Sequence, residues 1–319
     1  MNQAKVLIRT ILLLALALAL ALAPALSGCL PGKPLEKIPP QLTAGNQEIL
    51  EGLEWYDRGC YQKALDHYFK ANERFTAVDQ IRGKAMAENN IGNCLRLLGD
   101  PESAALFLEE SVDLYTGMDD PRGEIQARVN LAAALADAAR LPEALAALDR
   151  AAELVPATGS DYWPLANTRG VVLWKLGRTE EARQALEKAL SAPAWPGGSR
   201  AAAFHSMGIL LLETGQPREA AGHFLQALDM DREKGFFPGI ADDLWGAARA
   251  EKAAGNLKEA ARYFRRASQV WGVLGMDEPA RRALAELTAL AEETGTDPSL
   301  TLFFLDRWEE GLIRANPCD

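Results

Sequence analysis

Gly52-Leu53-Glu54-Trp55-Tyr56-Asp57-Arg58-Gly59-Cys60-Tyr61-Gln62-Lys63-Ala64-Leu65-Asp66-His67-Tyr68-Phe69-Lys70-Ala71 is the stretch that decides the fold of this 319-residue chain. Its small residues fall at Gly52, Gly59, Ala64 and Ala71, and the large Tyr68 precedes the last of them. The spacing returns from Gly92, Ala132, Gly170, Gly208 and Ala248, at intervals of 40, 40, 38, 38 and 40. Seven residues on come Gly99, Ala139, Gly177, Gly215 and Gly255, and twelve on come Ala104, Ala144, Ala182, Ala220 and Ala260. Nineteen on stand Ser111, Ala151, Ala189, Ala227 and Ala267. Sixteen on, the residue is large and apolar: Leu108, Leu148, Leu186, Phe224 and Phe264. Gly, Ala and Ser make up under a third of the chain, so small residues at all 24 aligned places are a pattern and not composition. A fixed period near 40 residues marks stacked supersecondary units.

The physical reading is a pair of helices per unit. Ala and Leu are abundant, β-branched residues sparse and aromatics only 7%, which favours helix over strand. Two helices that cross closely need small residues where their backbones meet. The first small residue of each unit lies on helix A, the alanine twelve later on helix B, and the residue at seven in the turn, where positive φ is often required. Pro101, Pro142 and Pro217 stand at the start of helix B, where a missing N–H costs nothing. The large residue at sixteen fills the space between pairs.

This spacing resembles the tetratricopeptide repeat, most fully in Gly52, Gly59, Tyr61, Ala64, Tyr68 and Ala71. The resemblance covers about Gly45–Gly275, in the family's longer variant. Asp79-Gln80-Ile81-Arg82-Gly83 and Asp119-Asp120-Pro121-Arg122-Gly123 recur 40 apart, as an extended helix B requires. The implied fold is all-α: a right-handed α-solenoid of about six helix pairs over 45–275, with capping helices over 276–319. Pro279–Glu293 is predicted as a further helix, and Asp297-Pro298-Ser299 as the cap of a last one through Ile313. End units must cover an apolar face, and Phe303, Phe304, Leu305 and Trp308 are the expected lid.

In this family the A helices line a groove that holds peptides or partner helices. The positions that carry over include Tyr56, Asn89, Asn90, Asn93, Arg96, Asn130, Asn167, Trp174, Lys175, His205, Trp245 and Arg249. Asparagine is a mediocre helix former, so its recurrence on one face is informative: an amide offers a donor and an acceptor to an extended backbone. Asn90 and Asn130 have an alternative role, bonding the neighbouring repeat's backbone. Trp174 and Trp245 are candidate anchors, or else inter-repeat packing. The carboxylate clamp of chaperone-binding members is absent in this register, because Ile49, Leu53, Gln126 and Asn130 stand in its places.

The N-terminus reads as an address. Met1–Thr10 carries Lys5 and Arg9, Ile11–Ala23 is an unbroken apolar run, and Pro24 ends it. A basic start, a short apolar core and small residues before a cut describe a secretory signal; the run is shorter than the ~20 residues of a membrane-spanning helix. Leu26-Ser27-Gly28-Cys29 resembles the lipobox of bacterial lipoproteins, which implies removal of 1–28, lipidation of Cys29 and attachment to a membrane through that lipid. With Leu rather than Asp at residue 30, the resemblance implies the outer membrane of the cell envelope, facing the periplasm. Pro31, Pro34, Pro39 and Pro40 make 29–44 a short extended tether.

Composition and motifs exclude other classes. The net charge is −10, and −12 once the leader's two cations are set aside, a poor match for phosphate backbones, so no nucleic-acid partner is expected. No HExxH, GxSxG or phosphate-loop pattern occurs, so no catalytic residue, metal or cofactor is expected. His67 and His223 are expected to face outward on B helices, and His205 to face the groove. Cys60 and Cys94 are expected to lie beyond disulfide reach of each other, and Cys318 has no evident partner. The expected function is a membrane-anchored scaffold gripping a protein or peptide segment; the alternative is an assembly factor for secretion, pilus or outer-membrane machinery. The sequence leaves the oligomeric state open.

Overall fold

The computed structural model describes residues 39–158, 162–191, 200–312 and 318. Every regular element among them is helical. Six A/B pairs run in order: α1 (Pro40–Asp57) with α2 (Tyr61–Ala77), α3 (Ile81–Leu97) with α4 (Pro101–Gly117), and α5 (Pro121–Asp137) with α6 (Leu141–Thr158). They continue as α7 (Trp163–Lys175) with α8 (Thr179–Ser191), α9 (Ala201–Glu213) with α10 (Pro217–Lys234), and α11 (Phe237–Ala253) with α12 (Leu257–Leu274). The cap is α13 (Asp277–Ala289), the one-turn α14 (Ala291–Thr294) and α15 (Ser299–Glu309). No described helix is long and apolar enough to cross a membrane. The leader and Cys29 lie outside the described residues.

The small residues do what their spacing requires. A Cβ added to Gly52, Gly92, Gly170 or Gly208 would stand 2.5, 2.5, 2.6 or 2.9 Å from Tyr68, Leu108, Leu186 or Phe224, the large residue sixteen later on the paired helix. Gly83 and Gly246 make the matching approach to the preceding repeat, against Phe75 and Phe224. Each of these large side chains therefore packs against an A helix, Phe75 and Phe224 against two each, and all are almost fully buried. Successive A helices touch one another while successive B helices splay apart, so the stack curves with the A helices inside.

Local chemistry fixes the turns. Asp100 and Asp120 accept the backbone N–H of Ser103 and Gly123 at 3.1 and 3.2 Å, and Pro101 and Pro121 follow them at the first helical position. The A-to-B turns take positive φ at Gly59, Gly99, Gly177, Gly215 and Gly255, and also at Ala139, which has a Cβ to accommodate.

Three boundaries differ from the sequence reading. The first helix begins at Pro40, so Pro40–Ala44 is helix rather than tether; proline's fixed φ suits the first helical turn. The predicted Pro279–Glu293 helix starts at Asp277 and breaks at Leu290 before the α14 turn, and the last helix ends at Glu309. The lid is narrower than expected. Leu305 is 1% exposed and packs with Trp308 over Gly272, whereas Phe303 stays half exposed.

Cys60 and Cys318 form a disulfide, with Cα atoms 5.4 Å apart and a sequence separation of 258. Cys94 is a buried free thiol.

Candidate functional site

The asparagines of the A-helix face divide into two groups. Asn130 donates to the Asn89 carboxamide oxygen at 2.9 Å, and Asn89, buried, lies within 3.5 Å of the Asn90 oxygen. These three form an amide ladder between α3 and α5. It is an inter-repeat bond, made between side chains rather than to backbone. Asn93 makes no hydrogen bond among the described residues, and the Asn167 oxygen is buried without a donor. The Asn93 amide remains available, whereas the Asn167 oxygen is closed off from the surface.

The cations of the same face are paired along the stack. Arg96 and Lys175 both reach Asp137, at 3.0 Å each, so one carboxylate links α3, α5 and α7. Arg249 pairs with Glu213 at 3.1 Å. Trp174 packs on the core of repeats four and five. Trp245 is wedged between Phe264 and Trp271, with ring centroids at 5.3 and 5.8 Å and the Arg282 guanidinium over its face. It joins repeat six to the cap.

The curve brings the first repeat back onto the fifth and sixth. A Cβ on Gly59 would strike Pro238, and Lys234 reaches Asp57 at 3.0 Å. Tyr56 and His205, four repeats apart, wall one cavity of 390 Å³ at this seam, together with Asp231, Asp242 and Asp243. His205 Nδ1 lies 2.6 Å from an Asp243 oxygen. Burial alone would lower the His205 pKa, but the bond to Asp243 and the charges of Asp242 and Asp231 raise it. Burial pushes Asp231 up to about 7, with repulsion from Asp243 adding to it; Asp242, exposed on the cavity, is raised by desolvation against the pull of His205 and of the Trp271 indole. Burial also raises Asp243, against the pull of His205, and takes Tyr56 up to about 12.

The sequence places His205 on the groove but misses these three aspartates. Asp242 stands one helical turn before Trp245, on the same face of α11, and that was the available clue. Two histidines depart from expectation. His67 does not face outward: it folds onto α1, with Nδ1 2.8 Å from Glu48 and 3.3 Å from Glu51. Glu48 also binds Arg74 at 3.0 Å. Those bonds outweigh its burial and lower its pKa. His223 is half-buried beside Phe204, because the B helix turns it toward its own A helix, and burial lowers its pKa. Glu48, Glu51 and His67 could converge on a metal ion, but the Arg74 guanidinium already supplies Glu48 with a cation.

Residues 164–233 and 205–273 match the tetratricopeptide repeat family. No curated protein matches the chain in sequence. Among solved structures, a Rap protein complexed with competence and sporulation factor aligns with a TM-score of 0.57 at 15% identity, over 80% of this chain and 77% of the other. The Rap conjugation gene regulator of plasmid pLS20, in complex with the Phr* peptide, aligns at 0.54 and 20%, over 85% and 73%. A thermophilic tetratricopeptide repeat protein of Thermus thermophilus, TTC0263, aligns at 0.50 and 21%, over 66% and 99%. At these identities the likeness is one of fold. Residues 164–273 thus carry repeats of the tetratricopeptide repeat family, and the helix pairs closed on glycine and alanine at a 38–40-residue period continue the same fold on either side of them.

Proposed function

We propose that this chain is a lipid-anchored scaffold of the bacterial cell envelope that docks a segment of a partner protein along its A helices. The observation that carries the reading is the half-buried Asn93 side chain on the inner face of the curve, whose amide N–H and C=O groups make no side-chain hydrogen bond among the described residues. An extended backbone offers the donors and acceptors they lack. The peptide in one of the fold neighbours is in keeping with this reading. The mechanism is docking.

The address rests on two supports. Leu26-Ser27-Gly28-Cys29 resembles a lipobox, and a disulfide such as Cys60–Cys318 persists where the surroundings are oxidising. The periplasmic face of an outer membrane meets both conditions. Cys29→Ser should move the protein from the membrane fraction to the soluble fraction.

A photo-crosslinking side chain tests the docking face. Placed at Asn93 it should capture a discrete partner from envelope extracts. Placed at Lys258, exposed at the start of B helix α12, it should capture none. Equal capture at both positions, or capture only at Lys258, would reject the inner face as the docking site.

A further inference from the structure

The seam cavity holds more negative charge than the protein itself answers. Asp243 is 1% exposed; one of its oxygens meets His205, and the other is buried with no hydrogen-bond partner. Asp231 is 6% exposed and makes no side-chain hydrogen bond or ion pair among the described residues. Its carboxylate lies over Gly239, where any Cβ would collide with it, so the glycine keeps room for the acid. Asp242 opens on the same space. Lys234, the only basic residue besides His205 among the side chains lining it, is turned to Asp57. A buried carboxylate oxygen without a donor carries its full desolvation cost, and neighbouring carboxylates add repulsion. The protein bears this cost at a spot where it also leaves a cavity.

We propose that this cavity binds an organic cation: the guanidinium or ammonium group of a basic side chain on the docked peptide, held by Asp231, Asp242 and the free oxygen of Asp243. A metal ion suits the site poorly, because the only described acidic and histidine groups converging within metal reach are Glu48, Glu51 and His67. A planar guanidinium instead spans separated acceptors and offers five donors. The Tyr56 ring forms an aromatic wall beside it, as cations favour. Burial raises the Asp231 carboxyl to about 7 and desolvation raises Asp242 in the same direction, so an entering cation displaces protons from them. Tyr56 and Tyr61 face the site from the first repeat, and His205 and Lys234 from the fifth. The tyrosines stay neutral at these pH values, their ionisation pushed up by burial.

The inference rests on the docking reading only for the source of the cation, and a free cation tests the site alone. The oxidised full chain is titrated with n-butylguanidinium and with acetyl-Ala-Ala-Arg-Ala-Ala-amide. The neutral counterparts are n-butylurea and the citrulline peptide. The His205 imidazole resonance reports occupancy. Both cations should shift it and both neutral probes should not. Binding should tighten several-fold between about pH 5.5 and about pH 7.5 as the carboxyls ionise. Asp231→Asn with Asp242→Asn should weaken binding by about tenfold or more, while Asp231→Asn alone should raise the thermal midpoint of the empty protein, which separates lost binding from lost folding. Binding of n-butylguanidinium without preference for the arginine peptide over citrulline overturns the peptide as source. Equal response to cationic and neutral probes, or affinity indifferent to pH and to the aspartates, overturns the site.

Discussion

Lys234 Nζ lies 3.0 Å from the Asp57 carboxylate although 177 residues separate the two. Solenoid repeats ordinarily touch only their neighbours, so this contact marks where the curve returns on itself. Both partners are partly exposed, which limits the pair to about 1 kcal/mol at most. The stronger tie across the seam is covalent.

Removing the Cys60–Cys318 bridge should cost roughly 3–5 kcal/mol, because the closed loop is long. Denaturant unfolding of Cys318→Ser against the oxidised parent measures it. Cys94 should resist a maleimide until the chain unfolds, since it is fully buried and burial pushes its thiol up to about 12.

Gly92→Ala should destabilise despite the better helix propensity of alanine. Propensity favours the change by about 1 kcal/mol, but the new methyl would meet Leu108 at 2.5 Å, and overpacking costs about 1–3 kcal/mol. A fall in thermal midpoint is expected. Ala139→Gly should do the opposite. Ala139 holds φ of 60° in a turn that glycine serves in five other repeats, and release from that conformation should stabilise by about 1 kcal/mol.

Asn89→Ala and Asn93→Ala should separate structure from recognition. The first breaks the ladder to Asn130 and should cost about 1–2 kcal/mol of stability. The second should leave the stability within about 0.5 kcal/mol of the parent and weaken partner capture. Trp245→Ala should behave like a core deletion, because its ring is packed against Phe264 and Trp271.

Acidification toward about pH 5 should stabilise the protein. Buried Asp231 has a folded value of about 7 against an ordinary 3.8, and Asp242 is raised in the same direction, so the native state holds more protons than the unfolded one through that window. Stability therefore falls as pH rises through it. His205 acts in the same direction: its contribution is complete below its ordinary 6.5 and lost as pH climbs past its raised value. Glu48 acts oppositely, its stabilisation fading as pH falls below 4.5. The thermal midpoint should be higher at about pH 5 than at about pH 8, with the slope reduced in Asp231→Asn.

The fold was legible because close helix crossings admit only small residues, and Gly52, Gly92, Ala132, Gly170, Gly208 and Ala248 recur wherever such a crossing occurs. Their partners sixteen residues on were legible for the same reason. The seam was not. Tyr56 and His205 come to line one cavity, and Cys60 meets Cys318, because small rotations add up over several repeats, and no local pattern encodes that sum. His67 was misread because a histidine on an amphipathic helix looks solvated until the acid that receives it, Glu48, is placed by the neighbouring helix. The aspartates of the cavity escaped notice because paired acids on a helix usually face water.

Open repeat stacks behave as springs, lengthening and unwinding along their axis to suit a guest. Here the coil is tied to itself by the bond from the first hairpin's turn to the chain's last residue but one. Such a bond limits how far the first repeat and the tail can part, so a guest threads a ring closed by sulfur rather than entering an open spiral.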